Sequence, residues 1–196
     1  MKRVVLALLL LAPLALAQEN EAKKKLPIHP LGGAKEGDWA VLRCVFKAPN
    51  RETRTMQSYV VEKITDVAIV QSQTLEGFGA TRVRLPAKEA PDLGTFFDIY
   101  NDPVKEVAFS EEKKTASGRD FTCKKVTFTT ANGGKPLHMT AWLSSEVKGS
   151  GIVGVVFESE SGSGKFEIAG FGSKGKTEWG KTGDEVAAEL KAARQK

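Results

Sequence analysis

From Gly118 to Gly172 the chain reads as four β-type segments in succession, parted by glycine-rich breaks: RDFTCKKVTFTT, LHMTAWLSS, GIVGVVFES and KFEIAGFG. The alternation is clear in the second segment. Leu137, Met139, Ala141 and Leu143 share one side, against His138, Thr140 and Trp142 on the other. Period-two alternation of this kind is the mark of a half-buried strand. Val153, Val155 and Phe157 continue it, followed by Phe166 and Ile168 after the turn at Ser161–Gly164. Asn132-Gly133 is a strong hairpin signal. The stretch is therefore expected to be an antiparallel meander. Its first segment breaks phase, because Phe121 and Cys123 fall on one face while Val126 and Phe128 fall on the other. A β-bulge at Lys124-Lys125, or strong coiling, is expected to restore a single apolar face.

The half before it reads the same way. In Asp38–Lys47, Ala40, Leu42, Cys44 and Phe46 line one face. Return strands are expected over Thr53–Lys63 and Val67–Gln73, a short strand around Arg82–Leu85, and a further one over Val104–Lys114 with Val107 and Phe109 inward. Pro86–Gly94 reads as loop. The group Phe96, Phe97, Ile99 and Tyr100 is too apolar to lie free and is placed on the core or its rim. With 41% hydrophobic residues in 196, one globular domain with a substantial core is expected. A helix is expected over 181–196, where Thr182 and Glu185 form a capping box ahead of the apolar stripe Val186, Leu190 and Ala193.

The first residues address the compartment. Lys2 and Arg3 precede an apolar run from Val4 to Leu16, and Ala15-Leu16-Ala17 supplies an A-x-A cleavage site. This is the pattern of a secretory signal peptide over 1–17, and the run is too short for a membrane span. The residue after the cut is Gln18 rather than Cys, so no lipid anchor is expected there. A polar, Pro- and Gly-rich lead-in over 18–37 then precedes a β domain over 38–180. The whole chain carries 29 Lys and Arg against 24 Asp and Glu, and cleavage removes two of the basic residues. So small an excess, on an exported protein, argues against nucleic acid as a partner. Cys44 and Cys123 would meet oxidising conditions. A disulfide between them is expected to stabilise the fold by roughly 4 kcal/mol; two buried free thiols are the alternative.

Several motifs point to chemistry that their context does not support. Gly170–Thr177 matches the phosphate-binding G-x-x-x-x-G-K-[ST] pattern, yet Gly180 follows three residues later and a helix is expected only from near Asp184, where the motif needs one to start at its last glycine. Gly149, Gly151 and Gly154 match G-x-G-x-x-G but run into a strand, not a helix. The two histidines, His29 and His138, and the two cysteines are spread too widely for a metal site. His138, or Glu158 with Glu160, could serve a hydrolase only if partners gathered around them. No catalytic residue and no cofactor is therefore assigned.

The runs DFTCKK, TAWLSSEVKGSGIVGVVFES and FEIAGFG resemble a family of uncharacterised secreted bacterial β-proteins. That family pairs an F-x-C-K strand with a W-[LV]-S-x-E-V-P-G turn and a closing Gly-Phe-Gly element. Lys148 stands here where the family has proline. The resemblance implies fold and export but no activity. The sheet order is also similar to the half-barrel of periplasmic lipoprotein carriers, an analogy of fold alone. Taken together, the expected architecture is mostly β: a curved antiparallel sheet or half-barrel meander with a short C-terminal helix. The expected function is an exported, non-catalytic module that binds lipid or another apolar envelope component in the concavity of its sheet, through Phe96, Phe97, Tyr100 and Trp142. The alternative is an envelope interaction or structural protein acting through its sheet edge.

Overall fold

The computed structural model describes residues 25–77, 79–99, 103–132, 134–174 and 176–177. The signal peptide read over 1–17, the start of the lead-in, Tyr100 and the helix expected over 181–196 lie outside them.

Among the described residues, ten strands and one short helix follow one another. They are β1 (Asp38–Ala48), β2 (Arg51–Ile64), β3 (Ala68–Leu75), β4 (Gly79–Pro86), α1 (Leu93–Phe97), β5 (Lys105–Ala116), β6 (Arg119–Asn132), β7 (Lys135–Leu143), β8 (Ile152–Ser159), β9 (Gly162–Ser173) and β10 (Lys176–Thr177). They form a single antiparallel sheet ordered β4-β3-β2-β1-β9-β8-β7-β6-β5, with β10 paired to β9. Two meanders, β1–β4 and β5–β9, are thus sewn together along the β1–β9 seam. Shifts in register mark β1–β9 at Val41/Leu42, β2–β3 at Val61/Lys63 and β7–β8 at Trp142/Leu143. Each such irregularity adds local twist and bend. The sheet curls into a half-barrel, and Gln73 of β3 and Thr130 of β6 come to line one cavity.

The inner face carries the core. Ala40, Leu42 and Cys44 are fully buried there, as the alternation in β1 predicts. Register carries that face across the seam: Cys44 pairs with Phe166, Phe166 with Val155, Val155 with Ala141, and Ala141 with Val126. Opposed residues of an antiparallel pair share a face, so Val126 and Phe128 belong to the inside.

The expected bulge at Lys124-Lys125 does not occur. Pairing runs unbroken from Lys124 to Asn132 against β7, and from Phe109 to Ala116 against the matching residues of β6. The register shift lies instead in β5, between Lys105 and Ala108, where Glu106 has φ of 54°. Phe121 and Cys123 are buried on the opposite side of β6 for another reason. Pairing with β7 ends at Lys124↔Leu143, so the β5–β6 hairpin projects past β7 and meets β9. Its turn is tied there by the Ser117 hydroxyl, which donates to the Ile168 carbonyl at 2.6 Å. The rings of Phe121 and Phe171 lie 6.1 Å apart, with the Arg119 guanidinium over both. Phe109 shares the inner face with its partner Val126, but β5 is the sheet edge and the ring stays 39% exposed.

Cys44 and Cys123 are free thiols, which corrects the expected disulfide. Cys44 shares a face with Val126, and Cys123 lies three residues from Val126 on a regular strand, so the two sulfurs point to opposite faces. Strands β9, β8 and β7 separate them in the sheet. Four inter-strand steps of about 4.8 Å far exceed the roughly 7 Å Cα separation that a disulfide tolerates. Each Sγ–H instead meets a backbone carbonyl two residues back, Leu42 and Phe121, both at 3.7 Å.

One end of the half-barrel is closed by segments with little regular structure. From Lys25 the lead-in is anchored, with the Leu26 amide donating to the Pro91 carbonyl at 3.0 Å and Leu26 and Leu31 buried. His29 Nε2–H donates to the Pro86 carbonyl at 2.7 Å while its Nδ1 accepts from the Leu31 amide. The β7–β8 connection, residues 144–151, folds inward and buries Ser144, Val147 and Ser150. Gly149 has φ of 81°, and a Cβ there would lie 2.3 Å from the Trp39 carbonyl carbon; one on Gly151 would lie 2.4 Å from Pro30. Gly149 and Gly151 of the dinucleotide-like motif are thus required by close packing. Lys176 and Thr177 of the phosphate-loop match continue as strand β10, where that chemistry needs a helix.

Candidate functional site

The open part of the concavity holds a cavity of about 460 Å³. Its buried floor is made by Leu42, Tyr59, Phe96, Thr130, Ile152 and Val155. Half-buried Phe97, Leu137, Met139, Phe157 and Phe166 form its walls. Gln57, Gln73 and Asp98 supply the remaining polar groups. The volume and the apolar majority suit a small-molecule site.

Strand alternation aims most of these side chains. Leu137 and Met139 come from the inner register of β7, and Phe157 from that of β8 opposite Met139. The helix α1 brings the aromatics. It has only five residues and is held by both caps: Asp92 accepts from the Thr95 amide at 2.9 Å and its hydroxyl at 2.8 Å, and Asp98 ends the helix with φ of 58°. Phe96 and Phe97 meet edge to face at 4.9 Å, and Phe97 lies 5.5 Å from Phe128. Aromatic pairs of this kind contribute about 0.5–1.5 kcal/mol each beyond the area they bury. They fix α1 across the mouth of the sheet.

Two polar features of the cavity wall differ in kind. Gln73 donates to the Gln71 side chain at 2.9 Å, and buried Gln71 donates to the Gly149 carbonyl at 2.5 Å. That chain ties the cavity wall to the closing loop and satisfies its members. Thr130, by contrast, is 5% exposed and its hydroxyl has no hydrogen-bond partner. A buried polar group in that condition costs about 1–3 kcal/mol.

Phe96 and Phe97 therefore stand at the cavity, while Tyr100 lies outside the described residues. Trp142 is elsewhere. It pairs with Lys125, one position from the inner pair Ala141 and Val126, and so stands on the outer face. There its indole N–H donates to Glu112, and Lys114 Nζ sits 4.1 Å from its ring centroid. The hydrogen bond from Trp142, aided by Lys125 and Lys114, holds the Glu112 carboxyl below the usual glutamate range. His138 is exposed on the same outer face, 3.0 Å from the Thr129 hydroxyl and opposite Glu158. Strand alternation alone separates Trp142 from Leu137 and Met139. The orphan hydroxyl of Thr130 has no sequence signature, since it depends on what its neighbours fail to provide.

No protein-family model and no curated protein matches the chain. Among solved structures, the chain is similar to a protein from Bacteroides fragilis described as exported and of YmcC-like fold, with 12% identity and a TM-score of 0.50. That match covers 71% of this chain and 97% of the other. A protein domain from Vibrio parahaemolyticus described as outer membrane lipoprotein-sorting matches over 90% of this chain and 97% of its own, at 10% identity and a TM-score of 0.29, too loose a superposition to bear on the fold. At such low identity the first likeness speaks for architecture alone: the curled sheet of this chain is similar to that of the exported protein of YmcC-like fold.

Proposed function

We propose that the protein is an exported, non-catalytic module that binds an apolar or cell-envelope ligand in the concavity of its sheet. The observation that carries this reading is the 460 Å³ cavity of largely apolar lining between the two meanders, with Phe96 and Phe97 of α1 on its wall. Export rests on the n-region, apolar run and Ala15-Leu16-Ala17 of the sequence, and it agrees with the exported structure of similar fold. The histidines speak for binding rather than catalysis. His29 is engaged in anchoring the lead-in, and His138 lies on the face away from the cavity. Action through a sheet edge is less well supported. Edge strand β5 carries a run of charged residues and an irregularity at Glu106, both of which discourage strand addition.

Native mass spectrometry of protein purified from its own envelope without detergent tests the reading, together with Nile red binding. The expected result is a small apolar adduct, displaced by the dye. Met139→Trp, which puts an indole into the cavity, is expected to lower dye binding at least tenfold while leaving the fold intact. Equal dye binding by a folded Met139→Trp protein would place the ligand elsewhere and sink the proposal.

A further inference from the structure

The outer face of the sheet is not uniform. Trp39 and Val41 of β1 stand on it, one position either side of the inward Ala40. Their partners share that face: Gly172 and Gly170 of β9 on one side, Val60 and Ser58 of β2 on the other. These residues make a strip across three strands that carries no charge and, at the glycines, no side chain. Further along the same strands the outer face turns charged, with Arg43, Lys47, Glu52, Arg54 and Lys165. Charge of that kind is what the solvated side of an antiparallel sheet ordinarily carries, and the strip departs from it. Val60, at the β2 end, is 40% exposed. Gly170 and Gly172, at the β9 end, are buried, although a glycine on an open sheet face leaves its backbone bare.

The chain itself is delivered to this strip. After β9 it turns back, and Thr177 of β10 pairs with Gly172. The residues that follow, 178–196, lie outside the described ones. Their sequence carries the capping box Thr182 and Glu185 and the apolar stripe Val186, Leu190 and Ala193. A helix of about fifteen residues is marginal in water alone, and an amphipathic one takes its stability from a surface that receives its stripe.

The dimensions agree. From Val186 to Ala193 a helix rises about 10 Å, and from β9 to β2 the strip crosses two steps of about 4.8 Å. The residues between Thr177 and Thr182 reach about 13 Å when extended. That suffices to lift the chain from the sheet onto a helix about 10 Å in diameter. The glycines let such a helix approach the backbone of β9 closely.

We infer that residues 182–196 form an amphipathic helix that packs across the outer face of β9, β1 and β2, its stripe against Trp39, Val41, Val60 and the two glycines. It roofs the face opposite the cavity and leaves the concavity open. Amide exchange of the full chain, followed by mass spectrometry, tests this. Peptides covering 186–193 are expected to exchange at least tenfold more slowly than the same segment made as a free peptide, and equally slowly after tenfold dilution of the protein. Val60→Asp places a charge in the strip and is expected to remove most of that protection, as is Leu190→Asp from the other side of the contact. Both variants are expected to keep the protection of β6–β8 and to bind Nile red as the wild type does, which shows that the sheet is intact. Exchange of 186–193 at the free-peptide rate in the wild type overturns the inference. So does protection that Val60→Asp and a second strip variant, Val41→Asp, both leave unchanged, since the segment is then docked elsewhere. Protection that falls on dilution overturns it as well, because a second copy of the chain then covers the strip.

Discussion

Single residues decide how the ends of this sheet are closed. Gly149 and Gly151 both sit in left-handed backbone, with Trp39 and Pro30 where a Cβ would project. Gly33 has a similar φ of 76° but no atom within 4 Å of its would-be Cβ. The pair separates strain from packing. We expect Gly33→Ala to cost about 1–2 kcal/mol for the left-handed backbone alone. Gly149→Ala adds a clash with main chain, which cannot move aside as a flexible side chain can, and is expected to cost about 3 kcal/mol or more. Urea unfolding of both variants measures this, and equal losses would show that the closing loop yields freely. The same glycines illustrate what a sequence hides. Their spacing matches a nucleotide motif, but the partners that require them, Trp39 and Pro30, lie more than a hundred residues away in the chain.

At the level of elements, alternation made most strands legible. The inner set Leu137, Met139 and Ala141, and the set Ala40, Leu42 and Cys44, stand as their period of two implies. Two features were not legible, for physical reasons. The helix α1 is a single turn held by its caps, too short for any periodicity to show. In β6, apolar residues on both faces suggested a bulge, whereas the strand stays regular and the outward residues are covered by tertiary contact with β9. Which face a neighbour will cover is not written in a strand's own pattern. The hairpin's docking on β9 leads to a further expectation. Ser117→Ala removes the hydroxyl that holds the turn to Ile168 and should cost about 1 kcal/mol. The loss should be local, so amide exchange in the β5–β6 turn should quicken while β1 and β9 remain protected. Uniform loss of protection across the sheet would mean that the hairpin does not open as a separate unit.

For the whole molecule, the free cysteines connect the fold to its behaviour at high pH. Burial pushes the Cys44 thiol up to about 12. Burial, with the charges of Glu146 and Glu112 beside it, pushes Cys123 up to about 11. Tyr59, on the cavity floor, is raised as well, again first by burial. Unfolded thiols ionise near pH 8.5. Below that, both states hold these protons and the contribution to stability is complete. Above it the unfolded chain releases protons that the native chain keeps, so unfolding gains ground until the native thiols ionise in turn. Stability should therefore fall between about pH 9 and pH 11, by about 1.4 kcal/mol per pH unit for each proton difference. Urea midpoints measured from pH 7.5 to 10.5 are expected to show this decline. Cys44→Ala/Cys123→Ala should start lower, because it leaves cavities, but decline less steeply. Dithiothreitol should leave the wild-type midpoint at pH 7.5 where it was, since no disulfide constrains the unfolded chain. A midpoint that drops on reduction would restore the cross-link that the register argues against. An unchanged alkaline slope in the double variant would mean that the thiols are more accessible to hydroxide than their burial implies.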